Sequence, residues 1–369
     1  MKKYRAAATA VLFCSGFLVL FSGCTPKKPI GTTRTIVDQV GHTVVLPEKI
    51  ERVVIASVWP LASVYCLAFG TDTLVGLDPA IISAAENSML IKIAPDIASI
   101  PSSFSKNGML NAEALAALKP DVVLYASGVM EDYDVATQAG IPAVGFSLSI
   151  RDYNAVETIN SWIELLGQVM GTDMSDSEYV AYGREMEALV AGRIASVKDA
   201  DKPAVMFIHK YSDTGMTVPG LSSWADYWIS ASGGRNVASA FKGSMTTGME
   251  QVYAWNPDSI FITNFTEAVP EDLYANAIGT ADWSPVQAVK TGNVRKLPLG
   301  MYRWYVTCSD SPLMLLWMAK QNQGELFADI DMEETVRDFY RRFYDLELSD
   351  ADIERIWTPN RAAAAGIKK

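Results

Sequence analysis

Two hydrophobic periods alternate along most of this chain, and their order predicts its architecture. Residues 35–46 alternate apolar and polar positions about Gly41-His42, the pattern of a short hairpin, with His42 expected at the surface beside the turn. Residues 52–57 (Arg-Val-Val-Ile-Ala-Ser) have the apolar centre of a buried strand, and the pattern breaks at Trp59-Pro60. Helical spacing follows through Leu61, Val64, Tyr65 and Ala68 to Gly70, and a short apolar run occupies 74–77. A helix over 112–118 stops at Lys119-Pro120, and strands are expected at 121–126 and 141–146. Strands alternating with helices predict an α/β unit with a mainly parallel sheet.

From 154 to 198 the helical period is sustained. Val156, Ile159, Ile163, Leu166 and Met170 share one face, and Met186, Val190, Ile194 and Val197 resume it after a polar break at 171–177. A second strand series begins at 204–208, with later members at 259–263 and 294–297, and 311–356 has helical spacing. The expected fold class is therefore α/β: two lobes, each a mainly parallel sheet flanked by helices, joined by a long helical segment. The boundaries fall at 35–153 for the first lobe, 154–200 for the linking segment and 201–369 for the second lobe.

One internal echo supports this division. Glu113 precedes Pro120-Asp121 by seven residues, Glu250 precedes Pro257-Asp258 by the same interval, and an apolar strand follows each pair. Each Glu falls near a helix N-terminus, where the helix dipole favours a carboxylate. Two capping acids would look the same.

The N-terminus has the character of an export signal. Lys2, Lys3 and Arg5 precede an apolar stretch at 6–20, too short to span a bilayer comfortably. Leu20-Phe21-Ser22-Gly23-Cys24 resembles a bacterial lipobox, with Phe21 where Leu is usual. This assigns 1–23 to a signal peptide and Cys24 to lipidation. Residues 24–34, rich in Pro, Lys, Gly and Thr, are then a flexible tether. Two acyl chains on Cys24 would anchor the chain durably, making it an exported lipoprotein facing the periplasm or the cell exterior. An ordinary cleaved signal peptide or an uncleaved anchor is the alternative.

Charge and side-chain chemistry then exclude several functions. The net charge is −11, and the first 23 residues carry three cations and no acid, so the exported body is more acidic still. An acidic chain without a basic stripe is a poor nucleic-acid binder. Cys66 and Cys308 lie far apart without metal spacing, which points to two buried thiols rather than a disulfide. Only His42 and His209 are present, too few for a multi-histidine zinc site. There is no phosphate loop, no Gly-x-Ser-x-Gly elbow and no His-Glu-x-x-His, so a surface lipoprotein enzyme is the weakest alternative.

The ordered set of 36–44, 52–55, 111–121, Ala139-Gly-Ile-Pro142, the helical segment, Ser232-Gly-Gly-Arg-Asn-Val237 and the Pro-Asp echo resembles the substrate-binding lipoproteins of ABC importers. The subgroup is the one whose lobes are joined by one long rigid helix and which takes up ferric siderophores, haem and cobalamin. The resemblance implies a monomeric binding protein without catalysis, cofactor or metal of its own. It would capture a small-molecule chelate between its lobes and deliver it to a permease dimer driven by a cytoplasmic ATPase. Glu113 and Glu250 match the surface glutamates that dock on permease arginines.

Ligands of α/β lobes sit beyond the carboxyl ends of strands. Candidate contacts are therefore Trp59 and Tyr125 in the first lobe and His209, Tyr211, Trp224, Met245, Tyr302, Arg303 and Trp304 in the second. The run at 300–305 combines stacking faces, a fixed cation and phenol donors, which suits a flat or anionic chelate. An iron complex, such as a ferric siderophore, is the expected ligand, with haem or cobalamin as alternatives. Core packing is the competing role for each aromatic. His209 could complete a chelate or simply be a structural histidine, and Arg303 could bridge the cleft.

Overall fold

The structure, a computed structural model, describes residues 32–367. The expected signal peptide, Cys24 and most of the expected tether lie outside this range. The chain opens with an antiparallel hairpin of β1 (Thr33–Val37) and β2 (Thr43–Pro47), in which Thr35 pairs with Val45. Asp38 holds its turn against the lobe, accepting from the amides of Val40, His42 and Gly145. His42 is consequently not a free surface residue. Its ring stacks on Tyr133 with centroids 4.1 Å apart, and its Nδ1 lies 3.3 Å from the Tyr125 hydroxyl.

The first lobe continues as β3 (Val53–Ile55), α1 (Leu61–Phe69), β4 (Leu74–Leu77), α2 (Ala112–Ala117), β5 (Val122–Ala126), α3 (Met130–Gln138) and β6 (Ala143–Phe146). Its sheet is parallel in the order β4-β3-β5-β6. Residues of β3, β5 and β6 are buried throughout, because helices cover both faces of a parallel sheet.

The helical connection is made by α4 (Ala155–Met170) and α5 (Glu178–Ile194). Asn154 caps α4 through the Glu157 amide, and Gly171 ends it in the left-handed conformation at φ 73°. The polar stretch 171–177 then reverses the chain, so α5 lies antiparallel along α4. A Cβ on Gly183 would stand 3.0 Å from Val156, and Asn154 hydrogen-bonds Glu187.

The second lobe contains β7 (Ala204–Ile208), α6 (Trp224–Ala231), β8 (Arg235–Asn236), α7 (Met249–Trp255), β9 (Ser259–Ile262) and β10 (Val294–Lys296). These strands form a parallel sheet in the order β8-β7-β9-β10. A small antiparallel sheet of Lys210–Ser212, Gly215–Pro219 and Ser244–Thr247 flanks it, and helices α8 (Ser311–Asn322), α9 (Met332–Tyr344) and α10 (Asp350–Trp357) complete the lobe.

The Pro-Asp echo has a structural cause. β5 and β9 occupy equivalent places in their sheets. The Asp121 carboxylate accepts from the amides of Glu51 and Arg52 at 2.8 and 2.9 Å, and Asp258 accepts from that of Ala204 at 2.8 Å. Each aspartate thus ties the entrance of its strand to the neighbouring first strand of the lobe.

The lobes are bound by more than the linking helices. One apolar cluster runs from Ile55 and Leu124 through Ile159, Trp162 and Leu166 to Phe207, Phe261 and Leu313. Hydrogen bonds cross it: Met89 N to Gly300 O, Thr307 Oγ1 to Ala155 O, and Tyr179 Oη to Ser309 O. Close-packed apolar contact of this kind resists relative motion of the lobes. Cys66 and Cys308 are free thiols. Among the described residues no helix is long and apolar enough to cross a membrane.

Candidate functional site

The carboxyl ends of the first lobe's strands face the second lobe, and a cavity of about 370 Å³ lies between them. Each strand end delivers a wall. Ser57, Trp59 and Pro60 follow β3, Asp78 follows β4, Ala126 ends β5 and Gly128 follows it, and Leu148 follows β6. From the second lobe come Trp224 at the start of α6, Phe265 after β9, and Tyr302 and Val306 after β10. Trp59, Trp224, Phe265 and Tyr302 make the cavity strongly aromatic. The indole N–H groups of Trp59 and Trp224 are buried and have no hydrogen-bond partner among the described residues. A buried donor without a partner costs roughly 1–3 kcal/mol.

Of the nine candidate contacts, Trp59, Trp224 and Tyr302 come together here. Arg303 does not reach the cavity. Its guanidinium lies behind Tyr302 and Phe265, 5.3 and 5.2 Å from their ring centres, and is only 2 % exposed. It donates to the carbonyls of Asn264, Ala363 and Ala365 and to the Tyr302 hydroxyl. Arg303 therefore braces the cavity wall and pins the C-terminal segment to it.

Trp304 is core. Its Nε1 donates to Asp310 at 2.8 Å and its ring packs edge-on against Trp357. Asp310 also accepts from Met301 N and the Tyr340 hydroxyl, and burial raises its carboxyl to about 6. Gly300 is required where it stands, since any Cβ there would collide with the Asp310 carboxylate. The turn at 300–304 thus points Tyr302 at the cleft by burying its neighbours.

Tyr125 is also core. It packs on Tyr133, bonds His42 and lies against Gly145, where burial raises its phenol. His209 is stacked between Phe265 and Tyr305, with both centroids at 5.1 Å. Burial, with Lys210 adding to it, lowers its pKa to about 4, so the ring is neutral at pH 7, and Nδ1 is unpartnered. Tyr211 lines a separate depression of about 410 Å³ with Lys210, Ser212, Asp213 and Thr214. Its hydroxyl bonds Trp283 and Ile278. Met245 pairs with Val218 in the antiparallel sheet and does not line the cavity. Ser57, Asp78, Asp132 and Phe265 were missed; Ser57, Asp78 and Phe265 follow strand ends, and the same rule applied to every strand would have found those three.

Glu113 and Glu250 are both exposed in the first turns of α2 and α7, the helices preceding β5 and β9. They hold equivalent positions in the two lobes, and neither forms an ion pair among the described residues. No group of three or more His, Cys, Asp or Glu that could hold a metal ion is present among the described residues.

Two parallel-sheet lobes enclosing a cleft define a solute-binding protein. Residues 73–299 match the periplasmic binding protein family, and the chain belongs to it. The family's members are solute-binding proteins rather than enzymes, and the chain is an extracytoplasmic substrate-binding component of an ABC importer. A crystal structure of a periplasmic solute binding protein from Veillonella parvula is similar at 29 % identity and TM-score 0.79, covering 88 % of this chain and 97 % of its own. The molybdate-binding protein MolA of Haemophilus influenzae is 25 % identical over 333 residues, 84 % of this chain and 91 % of that one. Helicobacter pylori CeuE, crystallised as a nickel–histidine complex, shares the fold at 22 % identity and TM-score 0.69, covering 89 % and 100 %.

Proposed function

We propose that the chain captures a compact metal complex in the inter-lobe cavity, an iron chelate first among them, and presents it to the permease through Glu113 and Glu250. The observation that carries this is the cavity: about 370 Å³, walled by four aromatic side chains and holding two unpartnered indole donors. That volume is at the lower end of small-molecule sites, and favours a compact chelate over haem or cobalamin. The interior position of Arg303 removes the argument from a cation in the site, so the preference for iron rests on the likeness to the chelate-binding subgroup. A second reading, molybdate, is favoured by the likeness to MolA and by indole N–H groups suited to oxyanion acceptors. Lipid anchoring through Cys24 would keep the loaded body near its importer.

Tryptophan fluorescence titrations with a ferric chelate and with molybdate test the site. Trp224→Ala is expected to weaken the bound species at least tenfold. Unchanged affinity in that variant would remove the cavity from the function.

A further inference from the structure

The charge of the cavity opposes the anion that the sequence suggested. Asp78 and Asp132 both line it, and among the described residues no lysine or arginine does. Asp78 is engaged, accepting from the Ala80 amide at 2.8 Å and the Ser105 hydroxyl at 2.6 Å. Asp132, in the first turn of α3, is only 2 % exposed, and its Oδ2 has no hydrogen-bond partner among the described residues. Burial, with the Asp78 and Glu131 charges adding to it and Ser57 opposing it, raises its pKa. The helix dipole accounts for a carboxylate in a first turn but leaves Oδ2 unsatisfied. Arg303 does not compensate it, because the Tyr302 and Phe265 rings stand between that guanidinium and the cavity.

Four aromatic rings and a buried carboxylate oxygen without a partner are the components of a cation site: ring faces attract positive charge, and a carboxylate fixes it. We infer that the ligand presents a cationic, hydrogen-bond-donating face to Asp132 Oδ2, with Trp59 and Trp224 against its flanks. The ligand class is thus a metal complex with amine-type outer groups or an ammonium-bearing chelate, not an oxyanion. This rests on the proposed capture of a metal complex in the same cavity.

Size-matched octahedral probes of opposite charge test it. Hexaamminecobalt(III) and hexacyanoferrate(III) are titrated against the purified protein by calorimetry, with molybdate as a third probe. The expected result is binding of hexaamminecobalt(III) at least tenfold tighter than either anion, lost in Trp224→Ala and reduced about tenfold or more in the isosteric Asp132→Asn. The wild-type preference between probes needs no variant, so misfolding of Asp132→Asn, checked by near-ultraviolet circular dichroism, leaves the test intact. Tighter binding of an anion, abolished by Trp224→Ala, would overturn the charge inference and leave capture in the cavity standing. Binding of none of the three probes would count against both.

Discussion

Arg303 separates a bracing role from a ligand contact. Arg303→Ala removes Nε bonds to Asn264 O and Ala363 O at 3.1 and 3.0 Å, an Nη2 bond to Ala365 O at 2.6 Å and an Nη1 bond to Tyr302 Oη at 3.1 Å. The two Nε bonds share one hydrogen, so three independent charge-assisted bonds are lost, roughly 1.5–3 kcal/mol each. The contacts over Phe265 and Tyr302 add about 0.5–1 kcal/mol each. Against this, deleting a buried guanidinium that has no carboxylate partner among the described residues relieves several kcal/mol of desolvation. The net expectation is a loss of about 3 kcal/mol in urea unfolding with an unchanged m-value. Protease sensitivity is expected to appear near 361–366, and Arg303→Lys should fall between the two because it lacks the fork. Ligand affinity should change less than threefold, through Tyr302 alone. A stability loss below about 1 kcal/mol together with a tenfold loss of affinity would refute the bracing role and return Arg303 to the ligand.

Other expectations follow from the same geometry. The Asp310 carboxyl is raised by burial to about 6, so its contribution is fully present below its unfolded pKa near 3.8 and lost as pH rises through 6. Asp310→Asn, neutral at every pH, should therefore be about 2 kcal/mol more destabilising relative to wild type at pH 4.5 than at pH 7 in urea midpoints; an equal cost at both would show that Asp310 titrates normally. Glu113→Ala with Glu250→Ala should leave ligand affinity intact and lower substrate-stimulated ATP hydrolysis by the reconstituted importer several-fold, with the deficit shrinking at high salt. Full stimulation by the double variant would dismiss the docking role.

The two-lobe α/β order was legible because long apolar runs and a sustained helical period are local signals. The Glu and Pro-Asp echo was legible too, since Asp121 and Asp258 perform the same strand-entrance bond. Side-chain direction after a strand was not legible. In the run at 300–304, Tyr302 faces the cleft while Arg303 and Trp304 turn inward, a choice made by Asp310 six residues on from Trp304 and by the carbonyls at 264, 363 and 365, which are distant in sequence. Tyr125 was misplaced for a related reason: successive strand residues face opposite sides, and its partner His42 comes from a hairpin 83 residues earlier. Asp132 escaped because an acid in a helix's first turn ordinarily caps it, and only burial with an empty Oδ2 marks it out.

Native mass spectrometry with metal analysis of the protein purified from its own envelope tests the central claim most directly. The predicted result is one small metal complex per chain, absent from the Trp59→Ala, Trp224→Ala double variant purified in parallel. A chain free of any such complex under metal-replete growth, or one whose complex survives loss of both tryptophans, would contradict capture in the inter-lobe cavity.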